Sequence, residues 1–191
     1  MEKHCYLPIG NRILGKKILS MSLYEMLWYF MIYAFIGWLM EEIVILLVYG
    51  VVIKRGFFFG PIGPIYGFGM LIVILSLSPI KKRIFPLFVG AVLLTSIFEY
   101  ISGYFLEVVF NQKWWNYVDS PLNLHGYISL GSSLAWGIVC VFVIHFLHPH
   151  IKDLVENMKK RTGNRLLTAI YFLFLIDFLA TFSKLIMNKK S

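Results

Sequence analysis

Residues 23–49 read LYEMLWYFMIYAFIGWLMEEIVILLVY, an apolar run whose last third contains two adjacent glutamates, Glu41 and Glu42. As an α-helix this run is about 40 Å long, enough to cross the ~30 Å hydrocarbon layer of a bilayer with some tilt. An ionisable side chain inside a membrane is costly and normally faces protein or water. The run therefore predicts a membrane-spanning helix with acids that face something other than lipid.

The rest of the chain has the same apolar character. Hydrophobic residues make up 59% of its 191 residues and charged residues only 15%, and the mean hydropathy is +0.74. A soluble domain of this size would expose large apolar patches, and a disordered chain would contain far fewer apolar residues. The composition therefore indicates a polytopic membrane protein whose outer surface is solvated by lipid.

Five segments are predicted to be membrane helices, at about Leu23–Tyr49, Gly60–Leu77, Ile84–Phe110, Gly126–Leu147 and Leu166–Met187. The predicted fold class is all-α, a polytopic bundle of about five transmembrane helices in which glycines and prolines break the start of the second. The chain then divides into four parts. They are a basic cytoplasmic N-terminal segment (1–22), a four-helix membrane core (23–147), a polar interfacial linker (148–165) and a fifth membrane helix with a basic tail (166–191).

The distribution of lysine and arginine predicts the orientation. Twelve lie in the N-terminal tail and in the loops after the second and fourth helices, against six on the opposite side. Cytoplasmic loops carry the excess of these residues. We therefore expect a multi-pass protein of the cell membrane with a cytoplasmic N-terminus and an external C-terminus. If the fifth helix lies in the interface instead, the C-terminus stays inside.

At least five of the ten acids fall inside predicted spans. They are Glu41, Glu42, Glu99, Glu107 and Asp177. They are either a binding site or ion pathway, or neutral carboxylic acids that join helices by hydrogen bonds. The first and third helices run outward in this topology, so Glu41, Glu99 and Glu107 all lie in the outer half of the membrane. This shared depth predicts a polar vestibule that opens away from the cytoplasm. Asp177 shares a helix face with Lys184 and is expected to pair with it.

Other polar residues extend the candidate binding set. Tyr100 lies on the acidic stripe of the third helix with Glu99 and Glu107, and Ser133 lies on a face of the fourth helix made of small residues. Asn123 belongs to the loop between those helices, and Arg55 could reach in from an outer loop to neutralise a carboxylate. The predicted substrate-binding residues are Glu41, Glu42, Glu99, Tyr100, Glu107, Asn123, Ser133 and Arg55.

Residues 60–69, GPIGPIYGFG, open the second helix with two prolines and four glycines. Such backbone is tolerated at membrane depth only where protein or water surrounds it. Its amide groups could hold an anion, or the segment could simply be a kinked helix entrance. It lacks a Gly-Lys-Ser/Thr sequence and a preceding strand. It is therefore not a nucleotide site, and the chain has no ATPase of its own.

The motif inventory does not favour catalytic or metal chemistry. There is no His-Glu-x-x-His and no Gly-x-Ser-x-Gly, and His125 with Glu107 would supply too few metal ligands. We therefore predict no catalytic residue, no metal and no cofactor. The net charge of +8 fits anionic lipid headgroups better than nucleic acid.

A set of short motifs is spread over residues 30–140. It comprises Gly37-Trp38 with Glu41-Glu42, Arg55-Gly56-Phe57, Gly60-Pro61, Pro64-Ile65-Tyr66-Gly67, Glu99-Tyr100 with Gly103 and Glu107, and Trp115-Asn116-Tyr117 through Asn123 and Gly126 to Trp136-Gly137. Together these motifs resemble the CmpB-type family of ABC-transporter membrane proteins. The family has Trp-Asp-Tyr-Ser where this chain has Trp-Asn-Tyr-Val, so one acid is absent, and Asp119 is the nearby replacement. The resemblance implies a membrane helix bundle with a role in transport.

These observations predict an integral membrane protein with a permease-like or solute-binding role, which takes a polar or cationic solute into the outer vestibule. Five helices are few for a complete alternating-access path, so a separate ATPase subunit or a homo-oligomer is expected. Two alternatives stay open. One is an intramembrane enzyme that acts on a lipid or polyprenyl substrate, and the other is a non-catalytic membrane scaffold. A cavity with two carboxylates close together and a lateral opening to lipid would favour the enzyme, and a closed, dry core would favour the scaffold.

Overall fold

The computed structural model describes residues 17–18, 21–51 and 58–190, so Arg55 lies outside the described residues. Its helices are α1 (Leu23–Tyr49), α2 (Pro64–Leu77), α3 (Ile84–Phe110), α4 (Leu130–Phe142), α5 (His148–Asn157) and α6 (Lys160–Lys190). A 3₁₀ turn, Ser78–Ile80, follows α2, and a π turn, Val143–Leu147, joins α4 to α5. Two short antiparallel pairs complete the structure, namely β1 (Lys17–Ile18) with β2 (Met21–Ser22), and β3 (Asn123–Leu124) with β4 (Ile128–Ser129).

The predicted all-α membrane bundle is confirmed. Four helical stretches are long and apolar enough to cross a membrane: Leu23–Leu47, Ile84–Phe110, Leu130–Asn157 and Lys160–Lys184. The second predicted helix corresponds to a shorter apolar stretch, Pro64–Ile80. Its 17 residues extend about 25 Å as a helix, slightly less than the hydrocarbon thickness. The irregular segment before α2 therefore has to cover part of the membrane depth.

Helix α1 has the predicted bounds because both of its ends have specific caps. The Glu25 carboxylate accepts a hydrogen bond from the Ser22 amide at 2.6 Å, while the Ser22 hydroxyl accepts one from the Glu25 amide at 3.3 Å. This reciprocal capping box satisfies two amide groups that a helix start would otherwise leave free. At the other end Gly50 adopts a left-handed conformation, with φ of 67°, and stops the helix.

Three other helix starts differ from the prediction. Helix α2 begins at Pro64 rather than at residue 60, because a proline suits the first turn of a helix and residues 60–63 form turns instead. Helix α4 begins at Leu130 rather than at residue 126, because Ser129 caps it and Ile128–Ser129 pairs with Asn123–Leu124. Helix α6 starts six residues earlier than predicted, at Lys160.

The helix that starts with α4 continues through Pro149. Proline lacks an amide hydrogen and obstructs an ordinary α-helical turn. The π turn Val143–Leu147 lies just before it and is wider than an α-turn, so it accommodates the missing donor. Residues 148–157 are consequently helical and extend the fourth membrane helix.

The short helix α2 lies between the two hydrophobic clusters of the bundle. Its residues Leu71 and Ile74 pack in a cluster with α1, α5 and α6 that includes Tyr33 and Val155. Val73 and Leu77 pack in a second cluster, with α3 and α4, whose other buried members are Leu87, Ala91, Cys140 and Ile144. Helix α2 therefore joins the two halves of the protein.

Glycines allow α1 and α2 to approach closely. A Cβ atom added at Gly37 would overlap the Tyr66 ring, and one at Gly67 would lie 2.7 Å from the Phe30 ring and from the Phe30 carbonyl oxygen. Ordinary contacts between carbon atoms are near 3.5–4.0 Å, so neither site has room for a side chain. Small residues at such crossings are typical of membrane helix packing.

Helix direction defines two ends of the bundle. The end of α1, the starts of α2 and α4 and the end of α3 lie at one end, which we call the hairpin pole after β3 and β4. Tyr171 donates to the carbonyl oxygen of Leu27 at 3.1 Å, and Asp177 bonds to the segment before α2, so α6 runs parallel to α1 and ends at the hairpin pole. The opposite end, called the basic pole, carries exposed cations. They are Lys81, Lys82, Arg83, Lys152, Lys159, Lys160, Arg161 and Arg165.

We predict that Gly37→Ala lowers the free energy of unfolding by about 1–3 kcal/mol, because the new methyl group forces α1 and Tyr66 apart. The matched control is Gly131→Ala, since no atom lies within 4 Å of the methyl group it would add. The control should be neutral or slightly stabilising because alanine favours the helix. Thermal and denaturant unfolding in maltoside micelles measure both variants. Equal stability of the two variants would contradict the close approach at Gly37.

Candidate functional site

Tyr66, near the start of α2, contacts side chains of two other helices. Its hydroxyl donates to Glu41 Oε2 of α1 at 2.7 Å, and its ring lies 5.7 Å from the Trp136 ring of α4. Gly37 and Gly63 provide the space for the Tyr66 ring, because a Cβ atom at either position would lie within 2.6 Å of it. Tyr66 therefore connects three helices and holds the Glu41 carboxylate towards the inside of the bundle.

Glu99 of α3 lies on the other side of the same region. It is 9% exposed, and its Oε1 accepts a hydrogen bond from the Tyr117 hydroxyl at 3.0 Å. Its Oε2 is buried, and no donor among the described residues meets it with good hydrogen-bond geometry. The Trp136 side chain lies beside this carboxyl group as a less well aligned donor, and both Tyr66 and Tyr117 interact with it electrostatically. We call Glu41, Tyr66, Glu99, Tyr117 and Trp136 the acidic–aromatic cluster.

The cluster unites the two acids that the sequence predicted to lie at similar depth. Glu41 and Glu99 are far apart in sequence, but Tyr66 and Tyr117 interact electrostatically with both of them. Burial raises the pKa of the Tyr117 phenol above its ordinary range, so this hydroxyl stays protonated and remains a donor. Each carboxylate therefore receives one hydrogen bond from a neutral hydroxyl group.

Tyr117 reaches Glu99 because the loop between α3 and α4 folds back over the bundle. The Trp115 indole donates to the Tyr127 carbonyl oxygen at 2.9 Å, and the Tyr117 amide donates to the Gly126 carbonyl oxygen at 2.9 Å. Asn123 fixes the turn, since its amide nitrogen donates to the Val118 and Ser120 carbonyl oxygens at 3.0 and 2.9 Å. Asn123 thus acts on the loop and does not contact the cluster.

Glu107 belongs to a separate group closer to the hairpin pole. It accepts a hydrogen bond from the Tyr127 hydroxyl at 2.6 Å and forms an ion pair with Lys113 at 3.5 Å. The bond to Glu107 raises the pKa of Tyr127 to about 12, so Tyr127 also remains a donor. Lys113 lies 4.7 Å above the Tyr127 ring as well. This group anchors the loop to the end of α3.

The other predicted residues take different positions. The Tyr100 hydroxyl lies 3.0 Å from His125 Nδ1 in the exposed part of the loop. Ser133 is buried and accepts a hydrogen bond from Ser96 at 2.7 Å, which joins α3 to α4. Glu42 is half-buried on α1.

Asp177 of α6 has a role that the sequence interpretation missed. Its carboxylate accepts hydrogen bonds from the amide groups of Phe59 and Gly60 at 2.9 and 2.8 Å, and Thr181 donates to it at 3.3 Å. Lys184 lies over the Phe59 ring at 5.2 Å rather than in an ion pair with Asp177. The amide groups before α2 do bind an anion, and that anion is a side chain of the protein. The sequence signal for this contact was an acid in one predicted span together with free backbone amide groups before another.

Neither carboxyl group of the cluster has a cationic partner within the described ranges, 17–18, 21–51 and 58–190. The ion pairs there are Lys113–Glu107 and Lys152–Glu156, and neither involves Glu41 or Glu99. The same residues contain no group of three or more His, Cys, Asp or Glu side chains that could hold a metal ion. The cluster can therefore offer negative charge, hydroxyl groups and aromatic faces to a ligand.

Comparison with known protein families gives a match over most of the chain. The model of a family described as "Putative ABC-transporter type IV", the CmpB family, matches residues 28–182, which is more than half of the chain. The matched region contains every member of the acidic–aromatic cluster. No curated protein and no solved structure matches the chain.

We predict that Tyr117→Phe lowers the free energy of unfolding by about 1–3 kcal/mol, because the buried Glu99 carboxylate loses its hydroxyl donor. Tyr104→Phe is the matched control, since Tyr104 is 55% exposed. Unfolding in maltoside micelles should show a clear loss for position 117 and almost none for position 104. A neutral Tyr117→Phe would mean that the bond to Glu99 contributes nothing.

We also predict that Asp177→Ala loosens the segment before α2, because the amide groups of Phe59 and Gly60 lose their acceptor. Hydrogen exchange of the peptide that contains these amides should become at least tenfold faster, while exchange in α3 stays unchanged. Asp153→Ala on the exposed side of α5 is the control. Unchanged exchange at residues 59–60 would contradict the proposed anchoring by Asp177.

Proposed function

Because the chain belongs to the CmpB family of type IV ABC transporters, we propose that it is the membrane-spanning, solute-binding component of a transporter. The proposed binding site is the acidic–aromatic cluster. Glu41 and Glu99 contribute charge, and Tyr66, Tyr117 and Trp136 form the walls. The role is permease-like, and the solute is polar.

The observation that carries this proposal is the buried Oε2 atom of Glu99, which no donor among the described residues meets with good hydrogen-bond geometry, although the Trp136 side chain lies beside the carboxyl group. Leaving a buried polar atom without a hydrogen bond is expensive, and it is more expensive still for a carboxylate. A protein that needed Glu99 only to join helices would satisfy both oxygens. A free acceptor that lies among aromatic side chains is better explained as a contact for a ligand.

The hairpin pole is proposed to face the outside of the cell. The basic pole carries eight exposed lysine and arginine residues, which is the charge distribution of a cytoplasmic surface. With this orientation the cluster lies in the outer half of the membrane, and the loop that holds Tyr117 covers it from outside. A solute would enter past this loop, which is expected to move during binding.

A separate ATPase subunit is proposed to supply the energy. The chain contains no P-loop, and membership of an ABC-transporter family supports a partner of that kind. The basic pole is the end where such a subunit would dock if it is cytoplasmic. A homo-oligomer would supply the further helices that five spans do not provide.

A non-catalytic scaffold is the second candidate, and one observation favours it. Both carboxylates of the cluster already have a neutral tyrosine donor, at 2.7 and 3.0 Å. Hydrogen-bonded acids of this kind can simply join helices. The two functions differ in whether water reaches Glu99.

Cysteine labelling tests this difference and the orientation. In a background with Cys5→Ser and Cys140→Ala, we expect Glu99→Cys to react from outside intact cells with a membrane-impermeant cationic thiosulfonate. The reaction should be several times faster than with an anionic thiosulfonate, because Glu41 attracts the cation. A cysteine that reacts only after denaturation would contradict the vestibule and favour the scaffold.

Two positions control the experiment. Asp119→Cys in the loop should react from outside whether the protein is a transporter component or a scaffold. Lys160→Cys at the basic pole should react only after the cells are permeabilised. The reverse pattern would mean that the hairpin pole faces the cytoplasm. Each variant is compared with the cysteine-free parent for expression and for its unfolding temperature.

A further inference from the structure

We infer that the solute of the acidic–aromatic cluster is a small organic cation with an alkylated ammonium head. This inference rests on the proposed function and names its ligand class. Two carboxylates, Glu41 and Glu99, lie in one cluster, and no ion pair within the described residues neutralises either of them. A ligand with one positive charge would stabilise the ionised form of either carboxyl group.

The walls of the cluster distinguish an organic cation from a metal ion. A hard cation such as Na⁺ or Ca²⁺ needs a shell of about six oxygen ligands. Here Glu41 Oε2 and Glu99 Oε1 already accept tyrosine hydrogen bonds. The remaining surface is largely aromatic, with Tyr66 and Trp136 5.7 Å apart between ring centres. Aromatic faces attract cations and do not require the cation to donate hydrogen bonds.

The number of free acceptors favours an alkylated head over a simple ammonium group. A primary ammonium carries three N–H donors, each of which needs an acceptor when it is buried. The buried acceptor without a partner in the described part of the cluster is Glu99 Oε2. A quaternary ammonium has no N–H group, so one carboxylate and the faces of aromatic rings satisfy it. Aromatic sites are the usual way in which proteins bind such groups.

The hairpin pole already uses this type of contact. Lys113 lies 4.7 Å from the centre of the Tyr127 ring, and Lys184 lies 5.2 Å from that of Phe59. In both cases the protein supplies the cation as well as the ring. In the described part of the acidic–aromatic cluster the protein supplies rings and carboxyl groups, and the cation is expected to come from the solute.

Choline and its neutral carbon isostere, in which a tert-butyl group replaces the trimethylammonium head, are the probes. The two molecules have nearly the same shape, so the comparison isolates the charge. We expect saturable binding of choline to the full-length protein by titration calorimetry, and at least tenfold weaker binding of the isostere. The protein is kept in a maltoside detergent, because phosphatidylcholine would compete. Equal binding of the two probes, or no binding of choline, would overturn the inference.

Variants test the residues. Glu99→Gln should weaken choline binding more than tenfold, and Trp136→Leu should weaken it about tenfold through loss of the aromatic face. Trp114→Leu is the matched control, since Trp114 lies outside the cluster, against Phe110 at 5.4 Å between rings. Unchanged choline binding in Trp136→Leu would contradict the aromatic contact. The unfolding temperature of each variant without ligand shows whether it is folded.

The two proposals can fail separately. If choline does not bind but Glu99→Cys is labelled from outside with the predicted charge preference, the ligand class is wrong and the vestibule stands. If Glu99→Cys is inaccessible and choline does not bind, both proposals are wrong.

Discussion

The hydrogen bond from Tyr66 to Glu41 organises the inside of this bundle. It can form only because Gly37 and Gly63 leave space for the Tyr66 ring, which brings the irregular start of α2 against α1. The same ring meets Trp136 of α4, next to Glu99 of α3. One side chain thus determines how closely α1 and α2 pack and where an acid of the membrane core points.

The acids of the membrane region are stabilised mainly by neutral donors. Tyr66, Tyr117 and Tyr127 each donate to a glutamate, and two backbone amides donate to Asp177. A neutral donor costs much less to bury than a lysine or arginine would. This choice explains how the protein can keep Glu41 and Glu99 inside the bundle without an ion pair among the described residues. The loop at the hairpin pole is part of this arrangement because it supplies two of the three tyrosines.

Near the prolines and glycines, the sequence predicts the local backbone but not the distant residues that contact it. The glycines and prolines of residues 60–69 predicted an irregular helix entrance with free amides, and this is what the structure contains. The acceptor of those amides could not be predicted, because Asp177 is more than a hundred residues away and only packing brings α6 there. The helical path through Pro149 depends in the same way on the folded structure, because the π turn before it accommodates the proline.

Composition and periodicity by themselves determined the membrane class and the approximate number of spans. They also predicted that Glu41, Glu99 and Glu107 lie in one half of the bundle. Both predictions are possible because the lipid constrains length, polarity and charge along each helix. The tertiary structure alone decided which of these acids lie in one cluster. Glu41 and Glu99 meet through Tyr66 and Tyr117, whereas Glu107 pairs with Lys113 and Tyr127 instead. The reason is that the local sequence determines how deep in the membrane a helical residue lies. The rotation of each helix about its axis and the path of a loop depend instead on contacts between distant segments.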